Sequence, residues 1–316
     1  MPLLTAAKDP ESSHFHDGAI TCNLCGGIDF VDFLPAYSRS EGLQEKLRLV
    51  KCRRCGLVTL APTPSWDQLS KFYPRSYYAG GPSEGLLARL ADSLDSVRRG
   101  KPETKRGRLL DVGCGNGDFL ASMATLGIEV YGVEPSESGY AICKSRGLNV
   151  QNAFLDQTEF REEYFDVITI NHVLEHVPDP SLTLRQIRRL LKPDGILIVQ
   201  VPNLDSFAFR VSGAHYLHLD VPRHLSHFSK STLVGLLKKE DFRIVRIRFP
   251  SSSMAILESL FLGSRGDRAV TTKQQVFASR SKGIFFFVEA LSVPLMALLE
   301  KLQLGDSIEV FATKNA

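Results

Sequence analysis

The 316-residue chain carries 38 basic and 35 acidic residues, for a net charge of +3, and 43% of its residues are hydrophobic. This is the composition of a globular protein with a sizeable core, and the balanced charge does not favour nucleic acid as a partner. No stretch has the roughly 18 uncharged apolar residues that a membrane-spanning helix needs. The amino terminus lacks a basic start followed by an apolar core, so we expect a cytoplasmic protein with reduced thiols.

Changes in composition divide the chain into four segments. Residues 1–19 are polar and are predicted to be a disordered tail. Residues 20–60 hold four of the six cysteines, and residues 61–105 form an aromatic-rich linker with a predicted helix. From 106 to 316, apolar runs alternate with amphipathic ones, which predicts an α/β domain with a mostly parallel sheet. The seven predicted strands cover about 108–112, 128–133, 148–152, 165–170, 195–201, 242–249 and 307–312.

Two Cys-x-x-Cys pairs, each followed by glycine, predict a zinc ribbon in residues 20–60. Between the pairs lie 26 residues, and four thiolates match the ligand set of structural zinc, which leaves no open position for catalysis. A disulfide pair and a redox site are the alternatives. A cytoplasmic location disfavours the first and the matched pairs disfavour the second. The predicted zinc ligands are Cys22, Cys25, Cys52 and Cys55.

A glycine loop, residues 113–117, follows the first strand of the predicted sheet. The run Leu109-Leu-Asp-Val-Gly-Cys-Gly-Asn-Gly117 places Asp111 ahead of three alternating glycines, and an amphipathic run begins at Asp118. This pattern is typical of a strand, a tight turn and a helix amino terminus, where glycine lets the backbone approach a ligand closely. The carboxylate of Asp111 would repel phosphates, but it suits a cationic, amine-bearing ligand.

Glu134 closes the second predicted strand, 23 residues after Asp111. An acidic residue at this position binds the ribose hydroxyls of a nucleoside. The loop and Glu134 are followed by three further motifs: Phe165-Asp-Val-Ile-Thr-Ile-Asn-His-Val-Leu-Glu-His-Val-Pro-Asp-Pro180, Leu190-Leu-Lys-Pro-Asp-Gly195 and Val201-Pro-Asn203.

In this order the four motifs resemble class I methyltransferases that use S-adenosylmethionine. The resemblance covers about residues 108–206. It implies S-adenosylmethionine as the cofactor and a seven-stranded, mostly parallel, Rossmann-like methyltransferase sheet. To that sheet the chain would add an N-terminal zinc ribbon and a helical insertion between strands six and seven.

The resemblance also implies roles for residues at the carboxyl ends of the strands. Asp111 and the glycine loop would hold the methionine portion, and Glu134 the ribose. Phe154 or Leu155, after strand three, would flank the adenine, and the alternative is that they lie in the core. Asn171 and His172, after strand four, would lie under the sulfonium. The implied cofactor-binding residues are Asp111, Gly113, Gly115, Gly117, Glu134, Phe154, Leu155, Asn171 and His172.

Histidines supply the candidates for a general base. His172 and His176 follow strand four, and a histidine segment, residues 215–229, follows strand five at the same sheet edge. Histidine titrates near neutrality, which suits removal of a proton from a hydroxyl acceptor. We predict His224 as the base and His176 as the second candidate. One alternative is that these histidines have structural roles. Another is that they form a metal cluster, but no ligand spacing in the sequence favours it.

The insertion, residues 250–306, contains an apolar run at 284–299. The run is short for a membrane span and carries Glu289 and Pro294. Two interpretations stay open. One is a helical hairpin packed on the core or in a homodimer interface. The other is an interfacial element that meets a lipid-linked substrate at the inner face of the membrane.

The amino-terminal region narrows the resemblance. Cys55-Gly-Leu-Val-Thr-Leu-Ala-Pro-Thr-Pro64 and Phe72-Tyr-Pro-Arg-Ser-Tyr-Tyr78 are similar to bacterial methyltransferases of sugar- and glycan-tailoring clusters. This implies a sugar hydroxyl on a nucleotide-linked or lipid-linked glycan as the methyl acceptor. A ribosomal RNA methyltransferase is the alternative, since some of these also carry a zinc module. A non-catalytic zinc-binding interaction protein is the alternative from another class.

Overall fold

The computed structural model describes residues 20–35, 47–73, 107–252, 256–257, 259 and 282–315. The strands are β1 (Phe30–Pro35), β2 (Arg48–Cys52), β3 (Val58–Ala61), β4 (Arg108–Val112), β5 (Glu129–Val133), β6 (Val150–Gln151), β7 (Phe165–Asn171), β8 (Leu191–Pro202), β9 (Ser226–His227), β10 (Phe242–Arg248) and β11 (Ser307–Lys314). The helices are α1 (Trp66–Leu69), α2 (Asp118–Ala124), α3 (Glu137–Ser145), α4 (Pro180–Leu190), α5 (Phe207–Ser212), α6 (Lys230–Lys239) and α7 (Lys282–Lys301). The predicted tail, the predicted linker helix and most of the insertion lie outside the described residues.

The larger sheet has seven strands in the order β10-β11-β8-β7-β4-β5-β6. The pairs from β8 to β6 are parallel, and β11 is antiparallel to both β8 and β10. The mostly parallel α/β sheet predicted from the sequence is therefore confirmed. Its last two strands pair directly although 57 residues, 250–306, separate the two strands predicted there.

Both faces of the larger sheet are covered, as the continuous apolar runs of its strands require. On β4, Leu109 packs with α2 and α3, whereas its neighbour Leu110 packs with α4 and α6. Val167 and Ile168 divide between the same two clusters. Period-two alternation of side chains thus builds one core on each face, and the carboxyl ends of β4, β5 and β7 are left to form a site.

The helix starts follow from local capping. The side chains of Ser136, Asp179 and Ser229 accept hydrogen bonds from backbone amides three residues on, at the first turns of α3, α4 and α6. Such caps satisfy amides that have no partner inside the helix. At α6 the cap is reciprocal, because the Thr232 side chain also accepts a hydrogen bond from the Ser229 amide.

Two predicted strands have different bounds in the structure. The strand predicted at 195–201 begins at Leu191, because Pro193 and Gly195 are taken up in a register shift against β7 and do not end the strand. The strand predicted at 148–152 is reduced to Val150 and Gln151, which pair with the last residues of β5.

A smaller sheet, β1-β2-β3-β9, joins the cysteine-rich module to the histidine segment. In it Val58 and Thr59 of β3 pair with His227 and Ser226 of β9. The apolar side chains of the two regions share one cluster, which includes Leu49, Leu60, Tyr216, Leu219 and Leu225. The module is therefore packed against the end of the larger sheet that carries the histidines.

Helix α7 packs on this cluster through Met296 and Leu299. Val293, Leu295 and Leu298 on its other faces are exposed. The helix thus packs partly on the core, as one of the two interpretations expected. Among the described helices, none combines the length and the hydropathy needed to cross a membrane. Membrane contact and a homodimer interface stay predictions.

Candidate active site

The glycine loop turns at the carboxyl end of β4. The amides of Gly113 and Cys114 donate to the carbonyl of Val133 at the end of β5, at 2.7 and 3.1 Å, which fixes the loop between the two strands. Gly113, Gly115 and Gly117 all have positive φ, the conformation that favours glycine. A Cβ on Gly113 would lie 2.4 Å from Cγ2 of Val173, so the loop also contacts the residues that follow β7.

Glu134 lies beneath the loop and is 3% exposed. Its Oε2 accepts a hydrogen bond from the Gly115 amide at 2.8 Å and its Oε1 one from the Ser136 amide at 2.9 Å. The residue predicted to bind ribose therefore also holds the glycine loop to the start of α3.

Asp111 is buried at the end of β4, where Oγ1 of Thr169 on β7 donates to its Oδ1 at 2.6 Å. The carboxylate is thus oriented by the neighbouring strand. Thr169 could not be recognised from the sequence, because threonine is common inside β-strands.

The residues predicted to flank adenine follow β6. Leu155 is buried in the core and Phe154 is partly exposed. The side-chain amide of Asn152 donates to the carbonyl of Glu134 at 2.9 Å and holds this segment beside β5. Of these two residues, Phe154 has an accessible face. Leu155 lies in the core, which was the alternative to a place beside the adenine.

His172 directly follows Asn171, the last residue of β7, and has a φ of +53°. A non-glycine residue in this region is strained, and such strain is concentrated at functional sites. Its amide donates to the carbonyl of Gln200 at 2.8 Å, and its ring stacks on that of His218 with centroids 6.1 Å apart. His172 thus belongs to the histidine side of the site as well as to the strand end.

The two candidate bases, His176 and His224, are neighbours, with ring centroids 4.5 Å apart. Nδ1 of His176 donates to the Arg223 carbonyl at 2.9 Å, and the Tyr73 hydroxyl lies 2.9 Å from the same nitrogen. Nδ1 of His224 donates to the His218 carbonyl at 2.8 Å. The structure therefore brings together two residues that the sequence placed in different segments.

Burial lowers the pKa of His176, and it lowers the pKa of His224 well below its ordinary value. His224 is 6% exposed, and neighbouring histidine rings, His176 first among them, add to the shift. The expectation of a base that titrates near neutrality does not fit this environment, since desolvation disfavours the imidazolium. His224 is consequently a neutral imidazole at pH 7.

Glu175, which was not predicted from the sequence, has a carboxylate oxygen within 4.8 Å of donor atoms of both candidate bases. It is 1% exposed, and its Oε1 is 3.3 Å from Nδ1 of His172 and 4.0 Å from Nε2 of His224. The available signal was a carboxylate directly before His176 in the motif after β7. A buried acid in an otherwise apolar stretch indicates a partner or a ligand.

The remaining histidines have structural surroundings. His227 lies in β9, and its Nε2 donates to the Leu219 carbonyl at 3.0 Å. His218 has its Nε2 3.9 Å from Oδ2 of Asp306. Asn203, beyond β8, is fully buried, and its side-chain amide donates to the Gly305 carbonyl at 2.8 Å. These residues hold the segment in place.

The four cysteines of the amino-terminal module converge, with their sulfurs within 4.8 Å of one another. The amides of Gly26 and Gly56 donate to the carbonyls of Cys22 and Cys52 at 2.8 and 2.9 Å, so the two turns are alike. Burial would raise the pKa of the Cys52 thiol, but hydrogen bonds from the Cys55 and Arg54 backbone lower it to about 7. This donor set and geometry fit a tetrahedral zinc ion.

A family model described as a methyltransferase domain matches residues 84–247. The chain belongs to this methyltransferase domain family. This match confirms the class I S-adenosylmethionine-dependent methyltransferase fold expected from the sequence. It also confirms that the protein is an enzyme.

Two curated relatives of this methyltransferase are ubiquinone biosynthesis O-methyltransferases. The protein of Xanthomonas oryzae pv. oryzae (strain PXO99A) is 33% identical over 175 residues, which cover 51% of this chain and 71% of the relative. The protein of Haemophilus ducreyi is 34% identical over 136 residues, which cover 39% of this chain and 58% of the relative.

Solved structures share the fold of this methyltransferase at low sequence identity. The cyclase SpnF has a TM-score of 0.52 and 22% identity, with 81% of this chain and 98% of that chain covered. A putative methyltransferase in complex with the Haloferax volcanii Trm112 methyltransferase activator has a TM-score of 0.50 and 14% identity, covering 77% and 97%. The glycan acceptor, the zinc ion and the roles of single residues stay predictions.

Proposed function

We propose that this methyltransferase transfers a methyl group to a hydroxyl oxygen. The observation that carries the proposal is the cluster of Glu175, His176 and His224, in which Glu175 and His224 are buried. It lies close to the glycine loop, because Gly113 contacts Val173, two residues before Glu175. Such a cluster supports acceptors that must lose a proton, as a hydroxyl does. The similarity to ubiquinone biosynthesis O-methyltransferases supports the same reaction class.

The residues at the edge of the larger sheet fit S-adenosylmethionine. Two buried carboxylates, Asp111 and Glu134, stand at the ends of adjacent parallel strands, and positive-φ glycines leave room for the ligand between them. We assign the methionine portion to Asp111 and the glycine loop, the ribose to Glu134, the adenine side to Phe154, and the sulfonium side to Asn171 and His172.

When bound, S-adenosylmethionine supplies the methyl group: the acceptor oxygen forms the O–CH₃ bond, the S–CH₃ bond breaks with its electron pair left on sulfur, and the hydroxyl proton goes to a base. The protein's own contribution is alignment and removal of that proton. We assign the proton transfer to the cluster, with His224 first and His176 second.

For the acceptor we propose a sugar hydroxyl on a nucleotide-linked or lipid-linked glycan. The cysteine-rich module supports this proposal, since its sequence is similar to that of glycan-tailoring methyltransferases and its sheet includes β9 of the histidine segment. A second candidate is a hydroxyl of a ubiquinone precursor, which the named relatives favour.

Both acceptor proposals are tested by methyl transfer from radiolabelled S-adenosylmethionine. The purified protein would be assayed with nucleotide sugars, lipid-linked saccharides, hydroxylated ubiquinone precursors and ribosomal RNA. Label on a sugar oxygen supports the first proposal, and label on the quinone precursor replaces it with the second. Label on RNA alone would contradict both, and S-adenosylmethionine binding without transfer to any acceptor would favour the non-catalytic alternative.

We further propose that the four cysteines bind one structural zinc ion. The converging sulfurs and the paired turns support it. Elemental analysis of protein purified without chelator should then find one zinc per chain, and Cys52→Ser should lower the thermal stability, because zinc binding contributes to folding. A Cys25–Cys52 or Cys22–Cys55 disulfide in mapped peptides would contradict the proposal.

A further inference from the structure

Three metal-ligating side chains meet outside the cysteine cluster, at the end of β7. Glu175, His176 and His224 each offer one donor atom, and these atoms lie within 4.8 Å of one another. Two donors on one zinc or manganese ion lie about 3–3.5 Å apart, given bond lengths of about 2.0–2.2 Å. Side-chain movements of about 1 Å therefore suffice for all three to bind one ion.

The buried carboxylate of Glu175 favours a bound cation. The residue is 1% exposed, and neither Oε1 nor Oε2 has a hydrogen-bond partner in the part of the chain that the structure describes. The nearest ring nitrogens are those of His172, at 3.3 Å, and His224, at 4.0 Å. A buried carboxylate without a partner is costly, and buried charges are normally paired or coordinate metals.

The tautomers of both histidines favour a metal. Nδ1 of His176 faces the carbonyl of Arg223, and Nδ1 of His224 faces the carbonyl of His218. A carbonyl only accepts, so both Nδ1 atoms carry the proton and both Nε2 atoms carry a lone pair. Metal-binding histidines are oriented in this way by backbone carbonyls on the other ring nitrogen.

The backbone holds the donors in place. The amides of Leu225 and Ser226 both donate to the carbonyl of Glu175, at 2.7 and 3.1 Å, and this joins the loop after β7 to the histidine segment. The Leu60 amide of β3 donates to the Leu225 carbonyl at 2.9 Å. The donors are thus fixed from two sides before any ion binds, which lowers the entropy cost of binding.

We infer that Glu175, His176 and His224 bind a divalent transition-metal ion. Two imidazoles and one carboxylate are a donor set of zinc, iron(II) and manganese sites, and three protein ligands leave positions open for other groups. The site differs in chemistry from the cysteine cluster, whose four thiolates select zinc. His172, with Nδ1 3.3 Å from the same carboxylate, is placed to add a fourth ligand.

The catalytic consequence rests on the proposed function. A hydroxyl bound at an open position of the ion would have its pKa lowered, so that its proton would pass to solvent water without a protein base. The lone pairs of His176 and His224 would then bind the ion, and the two residues would act as ligands in place of the base role assigned above.

The test is manganese binding by the 316-residue chain, purified without chelator so that any zinc on the cysteines is retained. Titration with Mn²⁺, followed by the electron paramagnetic resonance signal of the free ion, should show one site per chain. Glu175→Gln, which preserves the shape of the side chain, should weaken the affinity by about tenfold or more. His215→Ala, a histidine variant of the same segment outside the cluster, should leave it unchanged.

A second measurement does not depend on any variant folding. Pulsed resonance on the Mn²⁺ complex should show coupling to imidazole nitrogen, and this coupling should change on incorporation of ¹⁵N-histidine. Absence of bound Mn²⁺ at millimolar concentration, binding without nitrogen coupling, or equal affinity in Glu175→Gln at intact S-adenosylmethionine binding would each overturn the inference.

Binding and turnover separate this inference from the proposed function. If Mn²⁺ binds as expected but no hydroxyl acceptor is methylated, the metal site stands and the proposed acceptor class fails. If hydroxyl methylation proceeds at an unchanged rate after the bound metal is removed from the cluster, the catalytic consequence fails, while the metal site and the proposed function stand.

Discussion

The glycine loop and the histidine segment meet at one edge of the larger sheet, and they are held there by different means. The loop is fixed by backbone hydrogen bonds to β5 and by the Glu134 carboxylate beneath it. The segment consists of short turns, and its apolar residues, such as Tyr216 and Leu219, pack with the cysteine-rich module. The first region thus depends on the sheet, and the second on a separate module.

This difference predicts that the two regions respond separately to substitution. Changes in the loop should affect S-adenosylmethionine affinity first, and changes in the histidine segment should affect turnover first. The loop after β7 is where they touch, since Val173 contacts the glycine loop and Glu175 contacts the segment.

The largest effect is expected for His224→Ala. Turnover should fall by ~10²–10⁴-fold, the range for loss of a proton-transfer group, while the dissociation constant of S-adenosylmethionine stays nearly unchanged. Steady-state kinetics and isothermal titration measure the two quantities. His176→Ala serves as the comparison and would show the larger loss if the base is there. Less than tenfold loss in both variants would contradict the assignment.

Glu134→Ala should act on the other region. Loss of hydrogen bonds to a charged partner costs roughly 1.5–3 kcal/mol, so S-adenosylmethionine affinity should fall by about one to two orders of magnitude. Mn²⁺ affinity at the histidine cluster should be retained, because Glu134 is not among its donors. Unchanged affinity for S-adenosylmethionine in a folded variant would remove Glu134 from the cofactor site.

Gly113→Ala probes the contact between the regions. Residue 113 has a φ of +71°, and a Cβ there would lie 2.4 Å from a side-chain atom of Val173. The variant should therefore lose about 1–3 kcal/mol of unfolding free energy. Its turnover and its affinity for S-adenosylmethionine should both be reduced. Gly127→Ala is the matched control, since it has a φ of +79° but nothing within 4 Å of its Cβ. Equal effects on turnover in both variants would mean that strain alone, without the Val173 contact, explains the loss.

The smallest effect is expected at Asp166, near the start of β7. Burial would raise the pKa of its carboxyl, but hydrogen bonds from Lys192 at 2.6 Å and the Arg108 amide at 2.8 Å outweigh it and hold the pKa below its ordinary 3.8. The side chain is about one-third exposed, so Asp166→Asn should cost less than about 1 kcal/mol at neutral pH. Because the pKa of Asp166 is lowered in the folded protein, its ionised carboxylate stabilises the fold at pH values above the ordinary pKa. This stabilisation is lost as the pH falls through the lowered pKa.

Denaturation of wild type and Asp166→Asn at several pH values measures that difference. The two curves should differ at neutral pH and converge in acid, while turnover at pH 7 stays equal. A difference that grows on acidification would mean that the sign of the shift is wrong.

The sheet and the glycine loop could be predicted because local sequence determines them. Mostly apolar runs such as Ile196–Val199 and glycines that need positive φ are visible in a short window. The pairing of β9 with β3 could not be predicted, because two residues, Ser226 and His227, carry no periodicity. His176 and His224 were both candidates, but their contact and the part played by Glu175 were not predicted, because only the tertiary fold brings the two segments together.

The pKa expected for His224 was wrong because burial is a property of the packed state. The expectation rested on the ordinary titration of histidine, and the sequence does not show how far a side chain in this segment is buried. Packing against the cysteine-rich module buries part of this segment.

The pairing of β3 with β9 also bears on how the chain is synthesised. The hydroxyl of Thr59 on β3 donates at 3.0 Å to the carbonyl of its partner Leu225, which lies 166 residues further along the chain. Until the ribosome has delivered that partner, β3 is an uncovered strand edge with apolar neighbours, the kind of surface that pairs with other chains. The nascent amino-terminal module therefore keeps an open strand edge until residue 225 is synthesised, and truncation before residue 225 should yield a fragment prone to aggregation.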